Sequence, residues 1–104
     1  NSIRMHGIDG PWNSREKLLL RTAEFFEVDL NKIDSLNLNL KVDILISVET
    51  AEHIYTESTE KFIKTLCQMS DVIIFSGAFK DQGGLYHFNE RLHSDWANNF
   101  SANR

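Results

Sequence analysis

The sequence predicts an α/β fold built on a mostly parallel sheet with helices packed on it. Three observations lead there. Two short runs, VDILISV at 42–48 and DVIIFS at 71–76, are nearly continuous in Val, Ile, Leu and Phe, the composition of strands covered on both faces. Between them, Thr56 to Met69 carries Phe62, Ile63, Leu66 and Met69 on one stripe at helical spacing, as an amphipathic helix requires. Strand, helix, strand in that order is the crossover that makes neighbouring strands parallel.

The remaining elements follow in chain order. Ser2 to Ile8 alternates weakly, with Ile3 and Met5 apolar, and reads as a strand by its period of two. Gly7-Ile8-Asp9-Gly10-Pro11 then reads as a strand end and a turn. Ser14 is a candidate cap for a short helix over Arg15 to Leu20. Glu24 to Leu30 is a second strand, with Phe25, Phe26 and Val28 apolar, and Asn31 to Lys41 a polar connection. In the central helix Thr56 is the expected N-cap, with Glu57 and Glu60 suiting the positive helix start. Gly77 to Glu90 is a loop holding Gly83-Gly84. Ser94 is the expected cap of a last helix, where Trp96 and Phe100 share a face.

With 104 residues the chain has room for one domain, 1–104, and a modest core. The net charge of −4, from 11 basic and 15 acidic residues, argues against a nucleic-acid surface, which needs dense Lys and Arg on phosphates; Arg15, Lys17 and Arg21 form only a loose group. No apolar run approaches the ~20 residues of a membrane span. Cys67 is the single cysteine, so no internal disulfide forms, which suits a reducing, cytoplasmic setting. The frequent Asn residues carry no functional reading.

In parallel sheets ligands sit at the carboxyl ends of strands. That rule selects Asp9 in GID, Asp29 in VDL and Glu49 in SVETAEH, followed by the segment IIFSGAFKDQGGLYHFNE. With these residues in view, the chain resembles the class I S-adenosylmethionine-dependent methyltransferases. The resemblance is to small-molecule members with an E-x-A-E-H segment after the fourth strand and a Q-G-G-x-x-H-x-N-E segment after the fifth. It runs from about Gly7 to Phe100.

The resemblance implies a partial Rossmann-like methyltransferase sheet and methyl transfer from S-adenosylmethionine to a small-molecule acceptor at oxygen or nitrogen. It assigns Asp9 to the ribose hydroxyls of the cofactor, Asp29 to the adenine amino group, Leu30 to a backbone and apolar contact with the ring, and Glu49 to the methionine half. His87 is the candidate general base, since imidazole titrates near neutral pH, and Glu90 stands with it as a catalytic candidate. The chain departs from the family in one respect: the first strand and its G-x-G-x-G loop should precede Asp9 by about twenty residues, and they do not. The expectation is therefore a fragment. In the family sheet that strand lies between the second and the fourth. Either the second strand pairs directly with the fourth, or another chain fills the gap and the protein oligomerises through its open sheet.

Each assignment has a plainer rival. Asp9 before Gly-Pro suits a turn, and Asp29 a polar strand end. Glu49, Glu52, His53 and His87 have ligand types that could hold a divalent metal; the favoured reading has no metal, with Glu52 and His53 starting or capping the helix. His87 could simply bond Asn89 or Glu90. Gln82-Gly83-Gly84 reads as a substrate-side loop or a turn, Trp12, Trp96 and Phe100 as core or interface, and Cys67 as a small core hydrophobe. A non-catalytic methyltransferase-like binding or assembly module is the alternative to an enzyme. A domain for another nucleotide lacks a phosphate-cradling glycine motif.

Overall fold

The computed structural model describes residues 2–13, 15–18, 24–32 and 39–104. Strand β1 is His6–Asp9 and β2 is Glu24–Glu27; they pair in parallel, with Gly7 opposite Phe25 and Ile8 opposite Phe26. Strand β3 is Leu45–Ser47 and β4 is Ile73–Phe75, also parallel, with Ile46 opposite Ile74. Helix α1, Thr59–Met69, connects β3 to β4, and helix α2, His93–Ala102, closes the described chain. The fold is α/β, with two small parallel sheets and two helices.

The βαβ unit is the centre of the molecule. Thr59, Phe62, Ile63, Leu66 and Met69 recur every three or four residues along α1 and are all buried, so one helix face is given wholly to the sheet. Leu45 and Ser47 of β3 point to that face, and Ile73 and Phe75 of β4 join it. Trp96 and Phe100 of α2 both pack on Phe75, at 5.3 and 4.8 Å between ring centroids, which bears out their shared face. Ile8 and Leu30 bring the first sheet onto the same core, and half-buried Cys67 lies against it.

Several expectations are corrected. The strands are shorter than their apolar runs. Among the described residues the run 42–48 is covered on one face only: Ile44, Ile46 and Val48 of that run, with Val72 and Ile74, are exposed by half or more, because both helices lie on the other side. Among the described residues β1 does not pair with β3; the sheets stay separate, so the second strand does not close directly on the fourth. Thr56 is not the cap of α1. It opens a 3₁₀ turn, Thr56–Ser58, that runs into the helix, and no side chain caps either start. Ser94 likewise lies inside α2, whose N-cap position is Leu92. The first-helix expectation shrinks to a 3₁₀ turn at Arg15–Lys17; Ser14, Leu19 and Leu20 lie outside the described residues. Of the core or interface expected for Trp12, the core is excluded: the side chain is two-thirds exposed. No helix among the described residues is long and apolar enough to cross a membrane.

Candidate functional site

The carboxyl ends of the strands converge through one asparagine. After β2 the chain turns at Asp29, whose Oδ1 accepts the Asn31 N–H at 3.0 Å. The Asn31 side chain then accepts the Tyr55 N–H at 2.7 Å and reaches the His53 carbonyl at 3.4 Å, while its own carbonyl accepts the Ser58 hydroxyl. The loop after β2 is thereby latched to the segment after β3. Asp9, at the end of β1, is exposed, and one of its oxygens accepts the Gly10 N–H at 2.7 Å. Asp9 and Asp29 thus take the local turn bonds of their plainer readings. Leu30 is half-buried against the core.

Glu49 has φ 50°, a left-handed conformation uncommon outside glycine. It reverses the chain sharply at the end of β3. Its N–H donates to Ser76 Oγ at 3.1 Å, and the same hydroxyl donates to Glu49 Oε1 at 2.8 Å; Ser76 N–H bonds the Ser47 carbonyl. The ends of β3 and β4 are tied together by this exchange. Beyond it, Ala51–His53 forms a 3₁₀ turn, so Glu52 and His53 do not cap α1.

That turn buries Glu52. Its side chain is 1% exposed, and neither carboxylate oxygen has a hydrogen-bond partner among the described residues. Its backbone carbonyl accepts from Phe88 N–H at 2.8 Å and Asn89 N–H at 3.1 Å, which draws the loop after β4 across the turn and brings His87 opposite. His87 Nε2 stands 4.0 Å from Glu52 Oε1. His53 and His87 meet edge to face, 4.9 Å between centroids. One ligand atom each from Glu52, His53 and His87 lies within 4.8 Å of the others. Glu49 does not join them.

The protons on both imidazoles follow from their partners. His53 Nδ1 lies 3.0 Å from the Tyr86 carbonyl, which can only accept, so Nδ1 carries the hydrogen. His87 Nδ1 lies 3.0 Å from Glu90 Oε2, and a carboxylate there selects the same tautomer. In the neutral form of each ring the lone pair is therefore on Nε2. Glu90 Oε2 also accepts the Gly83 N–H at 2.7 Å, which fixes Glu90 as the group that orients His87. Tyr86, at φ 59°, turns the chain into His87.

The glycine pair has a packing reason. A Cβ on Gly84 would sit 2.5–2.7 Å from the His87 ring, and Gly84 has φ 153°; only glycine lets the imidazole lie against this backbone. Gln82 closes the turn before it, its Oε1 accepting the Phe79 N–H at 3.0 Å. Asn89 is buried and donates to Thr59 Oγ1 at 2.7 Å, while its own Oδ1 accepts from Arg91 Nε at 2.7 Å. Asn31 and Asn89 are thus the latches of the site. The only sequence signal for Asn89 was its place in the H-x-N-E segment.

A separate cleft of about 570 Å³ opens between β4 and α2, lined by Phe75, Gly77, Trp96, Phe100 and their neighbours. It is apolar and touches none of the Glu52, His53 and His87 group. Comparison with protein-family models, with curated proteins and with solved structures finds no match to this chain.

Proposed function

We propose that the chain is part of a class I S-adenosylmethionine-dependent methyltransferase acting on a small-molecule acceptor in the cytoplasm. One observation carries the reading. Among the described residues two parallel strand pairs, β1–β2 and β3–β4, occur in chain order and remain unjoined, as a methyltransferase sheet would be without the strand between its second and fourth. The residues also fit the cofactor in kind: exposed Asp9 ends β1, Asp29 follows β2, and Glu49 follows β3. An ionised carboxylate is a strong acceptor for hydroxyl and amino hydrogens.

The cofactor supplies an electrophilic sulfonium methyl, and the protein's work is to align the acceptor with it. Asp9 would hold the ribose hydroxyls and Asp29 the adenine amine, with Leu30 against the ring. Glu49, held by Ser76, would face the methionine end. His87, oriented by Glu90 through Nδ1, would act as base through Nε2, which stands 4.0 Å from Glu52 Oε1. Glu90 is a positioning residue in this scheme.

The test is calorimetric titration with S-adenosylhomocysteine. Binding in the micromolar range, about −8 kcal/mol, that Asp9→Ala weakens by roughly tenfold or more, as expected for a lost charged hydrogen bond, supports the reading. No binding, either by this chain or by a longer product of the same reading frame that includes the preceding strand, refutes it. A second reading, a non-catalytic assembly module, draws on the unjoined sheets and the exposed Ile46–Ile74 face. Sedimentation separates the two: a well-folded monomer counts against assembly through the open sheet.

A further inference from the structure

We propose that Glu52, His53 and His87 form a binding site for a divalent transition metal ion, with Glu90 and the Tyr86 carbonyl as its outer shell. The inference stands on the donors and is independent of methyl transfer.

Four observations converge. The first is Glu52. Its carboxylate is 1% exposed with both oxygens unpartnered, an arrangement that costs free energy unless a cation or donor is supplied. The second is the company it keeps. The two histidines reach it from separate segments, the turn after β3 and the loop after β4, and the three ligand atoms lie within 4.8 Å of one another. The third is the tautomer. Each imidazole spends its Nδ1 hydrogen on an oxygen outside the cluster, the Tyr86 carbonyl or Glu90 Oε2, so each keeps Nε2 for a ligand bond. A carboxylate or carbonyl behind the ring is the usual support of a metal-bound histidine. The fourth is the backbone cost of the arrangement. Tyr86 is left-handed at φ 59°, and Gly84 must be glycine to admit the His87 ring; such strain clusters at functional sites.

The donor set selects the ion. Two imidazole nitrogens and one carboxylate suit Zn²⁺, Co²⁺, Fe²⁺ and their neighbours, whereas Mg²⁺ and Ca²⁺ prefer all-oxygen shells. Three protein ligands leave positions open for water or substrate, the pattern of catalytic rather than structural sites. The 4.0 Å between His87 Nε2 and Glu52 Oε1 is slightly longer than the ~3.3 Å edge of a tetrahedron with ~2.0 Å bonds. With the three ligand atoms within 4.8 Å of one another, the side chains would have to draw together around an ion. A bound ion would take the His87 lone pair, so His87 would then be a ligand.

The experiment is titration of metal-stripped protein, without any nucleoside cofactor, using ZnCl₂ in a calorimeter and CoCl₂ by visible absorption. One equivalent of Zn²⁺ should bind, and Co²⁺ should develop the intense absorption of a low-coordinate nitrogen–oxygen site. Glu52→Gln and His87→Asn should abolish both signals while circular dichroism remains unchanged. Glu90→Gln should weaken binding by roughly 10- to 100-fold, and exposed His93→Asn should leave it intact. The proposal is overturned if folded wild-type protein binds no Zn²⁺, if binding survives both ligand variants, or if Mg²⁺ competes on equal terms. None of these outcomes depends on S-adenosylhomocysteine, so loss of the metal site and loss of the methyltransferase reading are separate results.

Discussion

Replacing Glu52 by glutamine should reverse the order of stability between metal-free and metal-loaded protein. Glutamine keeps the shape of the side chain and removes its acidic group. In the metal-free protein both Glu52 oxygens are buried without a donor. A buried polar group left unpaired costs about 1–3 kcal/mol, and more when charged. The neutral amide recovers part of that cost, so Glu52→Gln should stabilise the metal-free form by about 1 kcal/mol, a rise of roughly 4–8 °C in Tm for a domain of this size. With Zn²⁺ at about 100 times its dissociation constant, the wild type gains ~2.7 kcal/mol while a variant that cannot bind gains nothing. The wild type then becomes the more stable by about 2 kcal/mol. Thermal melts of both proteins, with chelator and with Zn²⁺, read all four values. A variant less stable than wild type by about 2 kcal/mol in chelator, with the same response to Zn²⁺, would refute the reasoning. It would make Glu52 a member of a structural network instead.

Three further outcomes follow from the same geometry. Gly84→Ala places a Cβ against the His87 ring at a positive φ; Zn²⁺ affinity measured by calorimetry should fall by tenfold or more (about 1.4 kcal/mol), and the metal-free protein should melt lower because alanine is strained there. Asn89→Ala removes the bond to Thr59 and the acceptor for Arg91, so chemical denaturation should show a loss of about 1–3 kcal/mol; a loss below ~0.5 kcal/mol would mean that the loop is held elsewhere. Ile46→Lys lies on the uncovered sheet face, where Ile46 is 68% exposed, and should change the stability of a monomer by less than ~0.5 kcal/mol. A larger loss that depends on protein concentration would show that this face is covered by a second chain.

The βαβ unit was legible because its signals are local and redundant. The helical stripe Phe62, Ile63, Leu66, Met69 has only one way to be buried, and the flanking apolar runs had to become its sheet. What the apolar runs did not disclose was their second face. Ile44, Ile46 and Val48 have the composition of a doubly covered strand, yet coverage depends on where the helices pass, and both pass on one side. Caps were over-read for a similar reason. Thr56 and Ser94 are good cap residues, but 3₁₀ geometry before α1 and the extended Leu92 before α2 moved the helix starts away from them.

The site was legible as residue types and not as an arrangement. E-x-A-E-H displays three possible ligands, and the structure sorts them. Glu49 turns back to Ser76, whereas Glu52 is carried inward by the 3₁₀ turn and His53 beside it. Nothing in the spacing separates these fates; they follow from the left-handed backbone at Glu49, which a glutamate does not advertise. The asparagines are a second case. Asn31 and Asn89 bond backbone and side-chain groups between 22 and 30 residues away, so their latching role has no local pattern, and only the H-x-N-E segment drew notice to Asn89.

His87 is where the two functional readings meet. Both need the same tautomer, and the Glu90 contact selects it in either case. Both also need the same atom, since a neutral imidazole has one lone pair. A general base at Nε2 wants open space in front of it for a substrate proton. Instead the structure puts the buried Glu52 carboxylate there, 4.0 Å away. That carboxylate occupies the space a substrate hydroxyl would need in front of Nε2. The same carboxylate facing a metal ligand is an additional ligand. On geometry, the Glu52–His87 pairing is therefore better used around a cation than around a proton: Glu52, His53 and His87 would hold the ion, and His87 would then be a ligand and not a base.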